Sequence, residues 1–397
     1  MALVFSSVCR TLSAWFLVGA LTTCTCVNSV AQVDIDADNT LTRQAYEDLL
    51  RYASSVGIQA SDRTALHPER HTLALLHELA YGRSVRLSYQ GVREVIDSSR
   101  IKLAYTRLLA GEDAQSVAVA LEPGDNRYCT LVESYRYVLD ETETGKLLSV
   151  RERRERLATT LNTYRWLNRF PNTDKILITI PAAQLLAQTT QGVDVLSMRV
   201  ILGKPATPTP TLASTLTGVV IYPYWYVPKS IATKELLPKI RKNPAAVLEQ
   251  MRMQVLNAKG QVLNPEQIDW KALGPGNFPY VLRQSTGCDN ALGILKFAFH
   301  SPFDVYLHDT NQRELFETTR RYLSHGCIRV EKPLELANWL LRDRQLTNAQ
   351  LSCKVERQKP TTLPVRAGVA VFVMYHLVDA DADGCLTWYD NVYGRTL

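Results

Sequence analysis

A cysteine and two histidines in the C-terminal half of the chain have the residue types and spacing that acyl transfer requires. Residues 324–329 read Ser-His-Gly-Cys-Ile-Arg, and a further histidine, His308, precedes Cys327 by 19 positions. A cysteine attacks a carbonyl carbon only as the thiolate, so it needs a nearby base or positive charge that lowers its pKa. His308 and His325 are therefore the two candidate bases.

The backbone around these side chains points to the same chemistry. His308 follows a predicted short strand, Asp304–Leu307, which would hold its imidazole rigidly. Gly326 lets the backbone approach a substrate closely, and the amides of Gly326 and Cys327 can point at a developing oxyanion. From spacing alone, a buried structural cysteine beside two incidental histidines is an equal alternative, because Cys/His motifs do not transfer between unrelated families.

The motif resembles the signature of L,D-transpeptidases with a YkuD-type catalytic domain. In that signature a histidine is followed, further along the chain, by Ser/Thr-His-Gly-Cys and then by an arginine. Other segments resemble the large periplasmic crosslinking members of the family, and the N-terminal part resembles their scaffold domain. These segments are residues 204–208, 222–228, 283–284, 290–293 and 305–309 in the C-terminal part, and 121–123 and 165–167 in the N-terminal part.

The resemblance implies a role for each residue of the motif. Cys327 would be the nucleophile and His308 its base. The backbone carbonyl of Asp309 would orient the imidazole as the third member of a triad. His325 and Gly326 would help to shape the site for the oxyanion and the acyl donor.

The substrate-binding residues are predicted partly from this resemblance, which implies a role for Arg329, and partly from residue type. Aromatic side chains commonly line ligand clefts, which makes Tyr306 and Trp225 candidates. Aromatic residues at strand spacing more often pack in a core, so both interpretations stay open for these two. The predicted substrate-binding residues are Arg329, Ser324, Tyr306 and Trp225.

The implied enzyme is a cysteine acyltransferase of peptidoglycan and cell-wall biogenesis. Cys327 would attack the third, diamino-acid residue of a donor tetrapeptide stem and release D-alanine. The side-chain amine of an acceptor stem would then resolve the thioester into a 3→3 crosslink. No metal or organic cofactor is implied, and we expect a carbapenem to acylate Cys327. The alternatives are an L,D-carboxypeptidase, a transpeptidase that anchors a lipoprotein, and a noncatalytic wall-binding protein.

The sequence divides into an α+β fold that would position these residues. Apolar residues at three- and four-residue spacing predict an α-helical scaffold domain over 32–170. β-Branched and aromatic runs then predict a mainly β catalytic domain over 171–345. Residues 229–290 form an insert with a helical start and a loop-rich end, which resembles the family's capping segment. Residues 346–397 are predicted to extend the catalytic domain with strands.

The N-terminus, residues 1–31, has the composition of an export signal. Arg10 is the only charged residue before Asp34, and residues 12–21 form an apolar core that is followed by small residues at 29–31. So short an apolar run favours cleavage over a permanent inner-membrane anchor, so we expect a periplasmic protein. A net charge of +6 without a Lys/Arg tract argues against nucleic acid as a partner.

The cysteines fit an exported enzyme with one reactive thiol. Five cysteines lie beyond the signal, and an odd number in an exported protein predicts a thiol with a role. A bridged sulfur cannot attack, so Cys327 must be unpaired. The other four, Cys129, Cys288, Cys353 and Cys385, allow three disulfide pairings, between which the sequence does not choose.

One acidic segment resembles the calcium-binding loop of an EF-hand in sequence. Residues 379–390 place aspartates and a glycine as an EF-hand does. The preceding segment, Gly368–Val378, is predicted to be a strand, joined by the acidic Asp-Gly turn to a second strand, Leu386–Tyr389. A hairpin turn therefore accounts for the glycine, and we expect no metal.

Overall fold

The computed structural model describes residues 41–59, 68–142, 148–342, 344–351, 358–365 and 368–396. The predicted export signal at 1–31 lies outside these residues. Helices come first and strands dominate after residue 175, so the predicted α+β fold class is confirmed. No helix in the described part of the chain is long and apolar enough to cross a membrane.

The N-terminal part is a group of helices, most of which begin at a capping side chain. Thr42, Asp97, Asp113, Asp125 and Ser149 each accept a hydrogen bond from an amide in the first turn of the helix that follows. The apolar faces of the helices then pack into a shared core. The helices are α1 (Arg43–Ser55), α2 (Pro68–Tyr81), α3 (Ser98–Leu109), α4 (Ala114–Val119), α5 (Asn126–Leu139) and α6 (Val150–Leu167).

The C-terminal part is built on an 11-stranded sheet that closes on itself. Its strands are β1 (Tyr89–Gln90), β2 (Lys175–Thr179), β3 (Gln184–Gln188), β4 (Asp194–Gly203), β5 (Leu212–Ile221), β10 (Leu295–Phe299), β11 (Leu307–His308), β12 (Tyr322–Ser324), β13 (Ile328–Val330), β14 (Thr361–Pro364) and β15 (Ala370–Met374). The order is β1-β5-β10-β11-β13-β4-β3-β2-β15, and β15 also pairs with β5. Helix α10 (Pro333–Leu341) packs its apolar face on the core of this sheet.

The short strand β11 sets the position of the predicted base. His308 pairs with Lys296 of β10 on one side and with Arg329 of β13 on the other. The predicted strand Asp304–Leu307 is wrong in its extent, because only Leu307 of that segment is in the ladder. Asp304 does not pair with a neighbouring strand. The amide of Val305 donates a hydrogen bond to the carbonyl of Phe303 in a tight turn, and the carbonyl of Asp304 accepts a hydrogen bond from the thiol of Cys327.

The insert is a small unit with its own sheet and core. A helical segment over 229–240, which contains the short helices α7 (Lys229–Ile231) and α8 (Leu237–Ile240), leads into α9 (Pro244–Gln250). The strands of the insert sheet lie in the order β6-β9-β7-β8. These strands are β6 (Trp225–Tyr226), β7 (Met253–Leu256), β8 (Val262–Leu263) and β9 (Val281–Gln284). Loops and turns occupy most of residues 257–280, as the predicted loop-rich end implies, but the sequence did not predict the short strands. Each strand has between two and four residues, too few for an alternating pattern to emerge from the sequence.

The C-terminal strands divide between the two parts of the molecule. The predicted strand Gly368–Val378 is interrupted, and its end, β16 (Val378–Ala380), pairs with β17 (Leu386–Trp388) in a separate hairpin. This hairpin packs on the scaffold helices, where Thr160 donates a hydrogen bond to the carbonyl of Val378 (3.0 Å). Within the described ranges, no group of three or more His, Cys, Asp or Glu side chains could hold a metal ion.

Candidate active site

Cys327 lies in a tight loop between β12 and β13 that one buried hydroxyl shapes. Oγ of Ser324 accepts a hydrogen bond from the amide of Gly326 (3.1 Å) and donates one to the carbonyl of Cys327 (2.6 Å). Gly326 has a φ angle of 118°, a conformation that side chains rarely adopt. Ser324 was predicted to bind substrate, but it is 3% exposed and its hydroxyl is used within the loop.

One of the two amides predicted to face an oxyanion is already occupied. The amide of Gly326 donates to Ser324. The amide of Cys327 makes no hydrogen bond to any described residue. In this conformation the Cys327 amide is therefore the donor available to an oxyanion, and the Gly326 amide is not.

A second loop, residues 203–209, supports the first. Thr209 Oγ1 donates a hydrogen bond to the carbonyl of Gly326 (2.9 Å). The two loops approach so closely that a Cβ atom on Gly203 would lie 3.1 Å from the Cα atom of Gly326. The sequence contained no pattern that predicted this support.

The thiol of Cys327 is partly shielded from solvent and is protonated at rest. Its Sγ donates to the carbonyl of Asp304 (3.4 Å). Burial raises the pKa of Cys327, while hydrogen bonds from Tyr306 and the positive charge of Lys296 lower it by less. Because the thiol holds its proton, attack on a carbonyl requires a base.

His308 is a buried, neutral imidazole. It is 4% exposed, and its Nδ1–H donates to the backbone carbonyl of Asp309, so Nε2 carries the free lone pair. Burial and the positive charges of Arg329 and Lys296 lower the pKa of His308 to about 3. No hydrogen bond joins His308 to Cys327 among the described residues. The resting site therefore holds a thiol and a neutral histidine, not a thiolate–imidazolium pair.

The carbonyl that orients His308 is fixed by the buried side chain of the same residue. The carboxylate of Asp309 accepts hydrogen bonds from the amide of Ile294 (3.0 Å) and from Arg313 (2.7 Å). It lies so close to Gly293 that a Cβ atom there would overlap it, and Gly293 has a φ angle of 61°. Gly293 is therefore required for the fixed position of Asp309.

Two cations flank the histidine without an ion-pair partner among the described residues. Arg329 donates to Gln312 (2.9 Å), while its buried Nε atom has no hydrogen-bond partner. Lys296 places Nζ 3.9 Å from the centre of the Tyr306 ring. Burial lowers the pKa of both cations. The site can therefore receive anionic groups. Lys296 was not predicted from the sequence, because a lone lysine in a strand carries no signal.

The two aromatic residues predicted to bind substrate, Tyr306 and Trp225, have different surroundings in the structure. Tyr306 lies beside Cys327 and His308: hydrogen bonding by its hydroxyl and backbone amide helps to lower the pKa of Cys327, and its ring lies 5.7 Å from the ring of His308. Trp225 packs against the core of the insert and pairs with Gln284 of β9. Contact between Trp225 and substrate remains a prediction.

The remaining histidine of the motif has a partner from the insert. His325 Nε2 donates to Oε1 of Glu235 over 2.6 Å. Glu235 lies 90 positions away in the sequence, and no motif could have predicted it.

The prediction that Cys327 is unpaired is confirmed. Cys327 and Cys129 are free thiols, and Cys288 is disulfide-bonded. Cys353 lies outside the described residues.

Comparison with known families places this site in a recognised domain. Residues 173–362 match the family model of the YkuD L,D-transpeptidase catalytic domain. The matched stretch contains the Ser-His-Gly-Cys loop, His308 and the insert. This part of the chain is a YkuD-type L,D-transpeptidase catalytic domain, as the resemblance of its motif predicted.

A curated relative carries the same description. A protein of Haemophilus influenzae, provisionally named an L,D-transpeptidase, is 35% identical over 219 residues, which make up 55% of this chain. The match covers 44% of that relative, so the chain spans less than half of its length.

Two solved structures show distant likenesses. An L,D-transpeptidase from Mycobacterium smegmatis aligns over 51% of this chain and 58% of its own, with 15% identity and a TM-score of 0.25. L,D-transpeptidase 1 of Mycobacterium tuberculosis aligns over 51% and 61%, with 15% identity and a TM-score of 0.21. At these TM-scores neither likeness establishes a shared fold.

Proposed function

We propose that this protein is an exported L,D-transpeptidase that forms 3→3 crosslinks in peptidoglycan through a thioester on Cys327. The observation that carries the proposal is the presence of a shielded thiol and a neutral, backbone-oriented His308 in the same YkuD-type domain. A noncatalytic wall-binding protein would have no need of this arrangement. We also propose a periplasmic location, after removal of the signal at 1–31.

The first half-reaction acylates the enzyme. Sγ of Cys327 bonds to the carbonyl carbon of the diamino acid in a donor tetrapeptide, while the thiol proton passes to Nε2 of His308. Collapse of the tetrahedral intermediate breaks the amide bond, and D-alanine leaves with that proton on its amine. A general base contributes about 10²–10⁴-fold to such a step, and one oxyanion donor about 10²–10³-fold.

The second half-reaction transfers the acyl group. The side-chain amine of an acceptor stem attacks the thioester carbonyl and gives a proton to His308. The carbon–sulfur bond then breaks, and Cys327 regains its proton. The products are a crosslinked dimer and free enzyme, with no metal or oxidant consumed.

Substrate binding would make His308 a stronger base. A pKa of about 3 is low for a base that must accept a thiol proton near neutral pH. Arg329 contributes to that low pKa and has no carboxylate partner among the described residues. A donor carboxylate bound to Arg329 would neutralise this charge and raise the pKa of His308. Acylation would thus be favoured once the donor is in place.

Product analysis tests the proposal directly. Purified disaccharide-tetrapeptide is incubated with the mature protein, and the products are identified by mass spectrometry. Transpeptidation gives a dimer and free D-alanine. A tripeptide product alone would identify an L,D-carboxypeptidase, and no change in the substrate would favour a noncatalytic protein. A lipoprotein C-terminal peptide supplied as a competing amine tests for anchoring.

Covalent inhibition provides a second test. We expect a carbapenem to add one drug mass to the peptide containing Cys327, because the thiol that attacks a stem peptide also opens a strained lactam. Failure of the wild-type protein to form this adduct would contradict the assigned nucleophile.

A further inference from the structure

The insert reaches the catalytic loop through one carboxylate. Glu235 lies in the π-helical turn Ala232–Leu236, and its Oε1 accepts a hydrogen bond from Nε2 of His325 over 2.6 Å. His325 is followed directly by Gly326 and Cys327. The contact therefore joins the insert to the loop that carries the nucleophile.

The π turn is part of the reason why the carboxylate is presented there. Residues 229–240 form a continuous helical segment in which α-helical turns flank the π turn. Ala232 and Leu236 are buried in the insert core, whereas 48% of the Glu235 side chain is exposed. A π turn adds one residue to the helix and changes the direction of the side chains around it, and such turns are frequent at functional sites.

The pair has a larger effect on the imidazole than on the stability of the fold. Of the His325 side chain, 36% is exposed, and ion pairs this accessible to water add little stability. A carboxylate can only accept, so Nε2 of His325 carries a proton, and Nδ1 is the ring nitrogen that Glu235 does not engage. No described residue hydrogen-bonds Nδ1. Glu235 thus determines both the direction of the ring and the nitrogen that is left for a ligand.

We propose that Glu235 is a positioning residue for acyl transfer, which it supports by holding His325 in one orientation and tautomer beside the Cys327 thioester. The insert then takes part in the chemistry as well as covering the site. This inference rests on the proposed function, since it assigns Glu235 a role in that reaction.

Two substitutions of Glu235 separate its hydrogen bond from its charge. Glu235→Ala removes both, and we expect a loss of about tenfold in kcat for dimer formation with little change in KM, the scale of one lost oriented hydrogen bond. Glu235→Gln keeps an accepting oxygen and should retain activity within about threefold of wild type. Glu249→Ala is the matched control, because Glu249 is an exposed acid of the same insert with no side-chain hydrogen bond to a described residue.

A double-mutant cycle tests whether Glu235 acts through His325. In a His325→Ala background, Glu235→Ala should cause no further loss, because its partner is already gone. Thermal unfolding of each variant shows whether the fold is retained, and we expect midpoints close to wild type.

Each outcome decides the inference. Equal activity of the Glu235→Ala and Glu249→Ala variants would overturn it. So would an additive loss in the cycle, or a loss in Glu235→Gln as large as in Glu235→Ala, which would assign the effect to charge. A wild-type protein that forms no dimer would reject the proposed function itself. An active wild type with an unaffected Glu235→Ala variant would reject this inference alone.

Discussion

The two histidines beside Cys327 are held in opposite ways. His308 lies on a strand, is 4% exposed, and donates to the backbone carbonyl of the next residue. His325 lies in a loop with 36% of its side chain exposed, and its partner is a carboxylate of the insert. The orientation of His308 is therefore set within the sheet. The orientation of His325 depends on the position of the insert, which supplies Glu235.

This difference teaches which histidine can serve as a permanent base. No substitution removes a backbone carbonyl, so the orientation of His308 persists wherever the sheet folds. The orientation of His325 depends on an accepting oxygen at position 235, which Glu235→Ala removes. We therefore expect changes around His308 to affect the chemistry strongly, and changes around His325 to report mainly on the insert.

The largest effect is expected at Cys327, the proposed nucleophile. Cys327→Ala should abolish crosslinking and the carbapenem adduct, because no other group in the site can form the thioester. Its thermal unfolding should stay near wild type, since a partly exposed residue contributes little packing. Cys129→Ala, which removes an exposed free thiol, is the control and should keep full activity. Formation of 3→3 dimers by the Cys327→Ala variant would contradict the proposed mechanism.

The next largest effect is expected at His308, and it should exceed the effect at His325. His308→Ala should lower the acylation rate by about 10²-fold or more, the contribution of a general base. His325→Ala should cost less, about tenfold, because its ring is not the proposed proton acceptor. Rates of acylation followed by mass spectrometry give both numbers. A greater loss in His325→Ala would reverse the assignment of the base.

The pKa shifts predict how the free thiol responds to pH. The pKa of Cys327 is raised by burial and that of His308 is lowered to about 3, so from pH 5 to 8 the free enzyme keeps a thiol and a neutral imidazole. The rate of alkylation by iodoacetamide should therefore rise about tenfold per pH unit across this range, as the small thiolate fraction grows. A plateau between pH 6 and 8 would indicate a preformed thiolate and contradict this account.

Gly293→Ala tests whether the fixed position of Asp309 is needed to orient His308. A methyl group there would meet the carboxylate of Asp309, and the φ angle of 61° would strain the new residue. We expect a loss of about 1–3 kcal/mol in the free energy of unfolding, with lower activity. Gly276→Ala, where no atom lies within 4 Å of the added methyl, is the control. Equal stability of the two variants would show that Asp309 is not tightly held.

The smallest effect is expected at Lys296, which is half-buried. The charge of Lys296 lowers the pKa of Cys327, so Lys296→Met should raise that pKa and slow alkylation at pH 7.5 by about threefold, as for a partly screened charge. Lys271→Met, at an exposed position of the insert, should leave the rate unchanged. A faster reaction in Lys296→Met would show that the lysine does not act electrostatically on the sulfur.

The sequence predicted the parts of the site that are close together along the chain. The Ser-His-Gly-Cys loop, the strand that ends in His308 and the carbonyl of Asp309 occupy little more than twenty consecutive positions, and each has a recognisable pattern. The change from helical to strand spacing likewise marked the α+β division, because long periodic segments carry that signal.

The parts that sequence reasoning missed depend on contacts between distant segments. Glu235 is one exposed acid among several in the insert until the fold brings it to His325. Lys296 gains its role from strand register, and Gly203 from the close approach of two loops. The Gly326 amide was predicted to be available, but a hydroxyl two residues earlier occupies it. A one-dimensional pattern contains none of these distances.

The central claim is that the acyl group passes through Cys327, and trapping the intermediate tests it most directly. The mature protein is mixed with a donor tetrapeptide in the absence of an acceptor, quenched in acid, digested and analysed by mass spectrometry. We expect the peptide containing Cys327 to gain the mass of the donor less D-alanine, and this adduct to disappear as 3→3 dimer forms when an acceptor is added. Dimer formation without any adduct on Cys327, or an adduct on another residue, would contradict the mechanism.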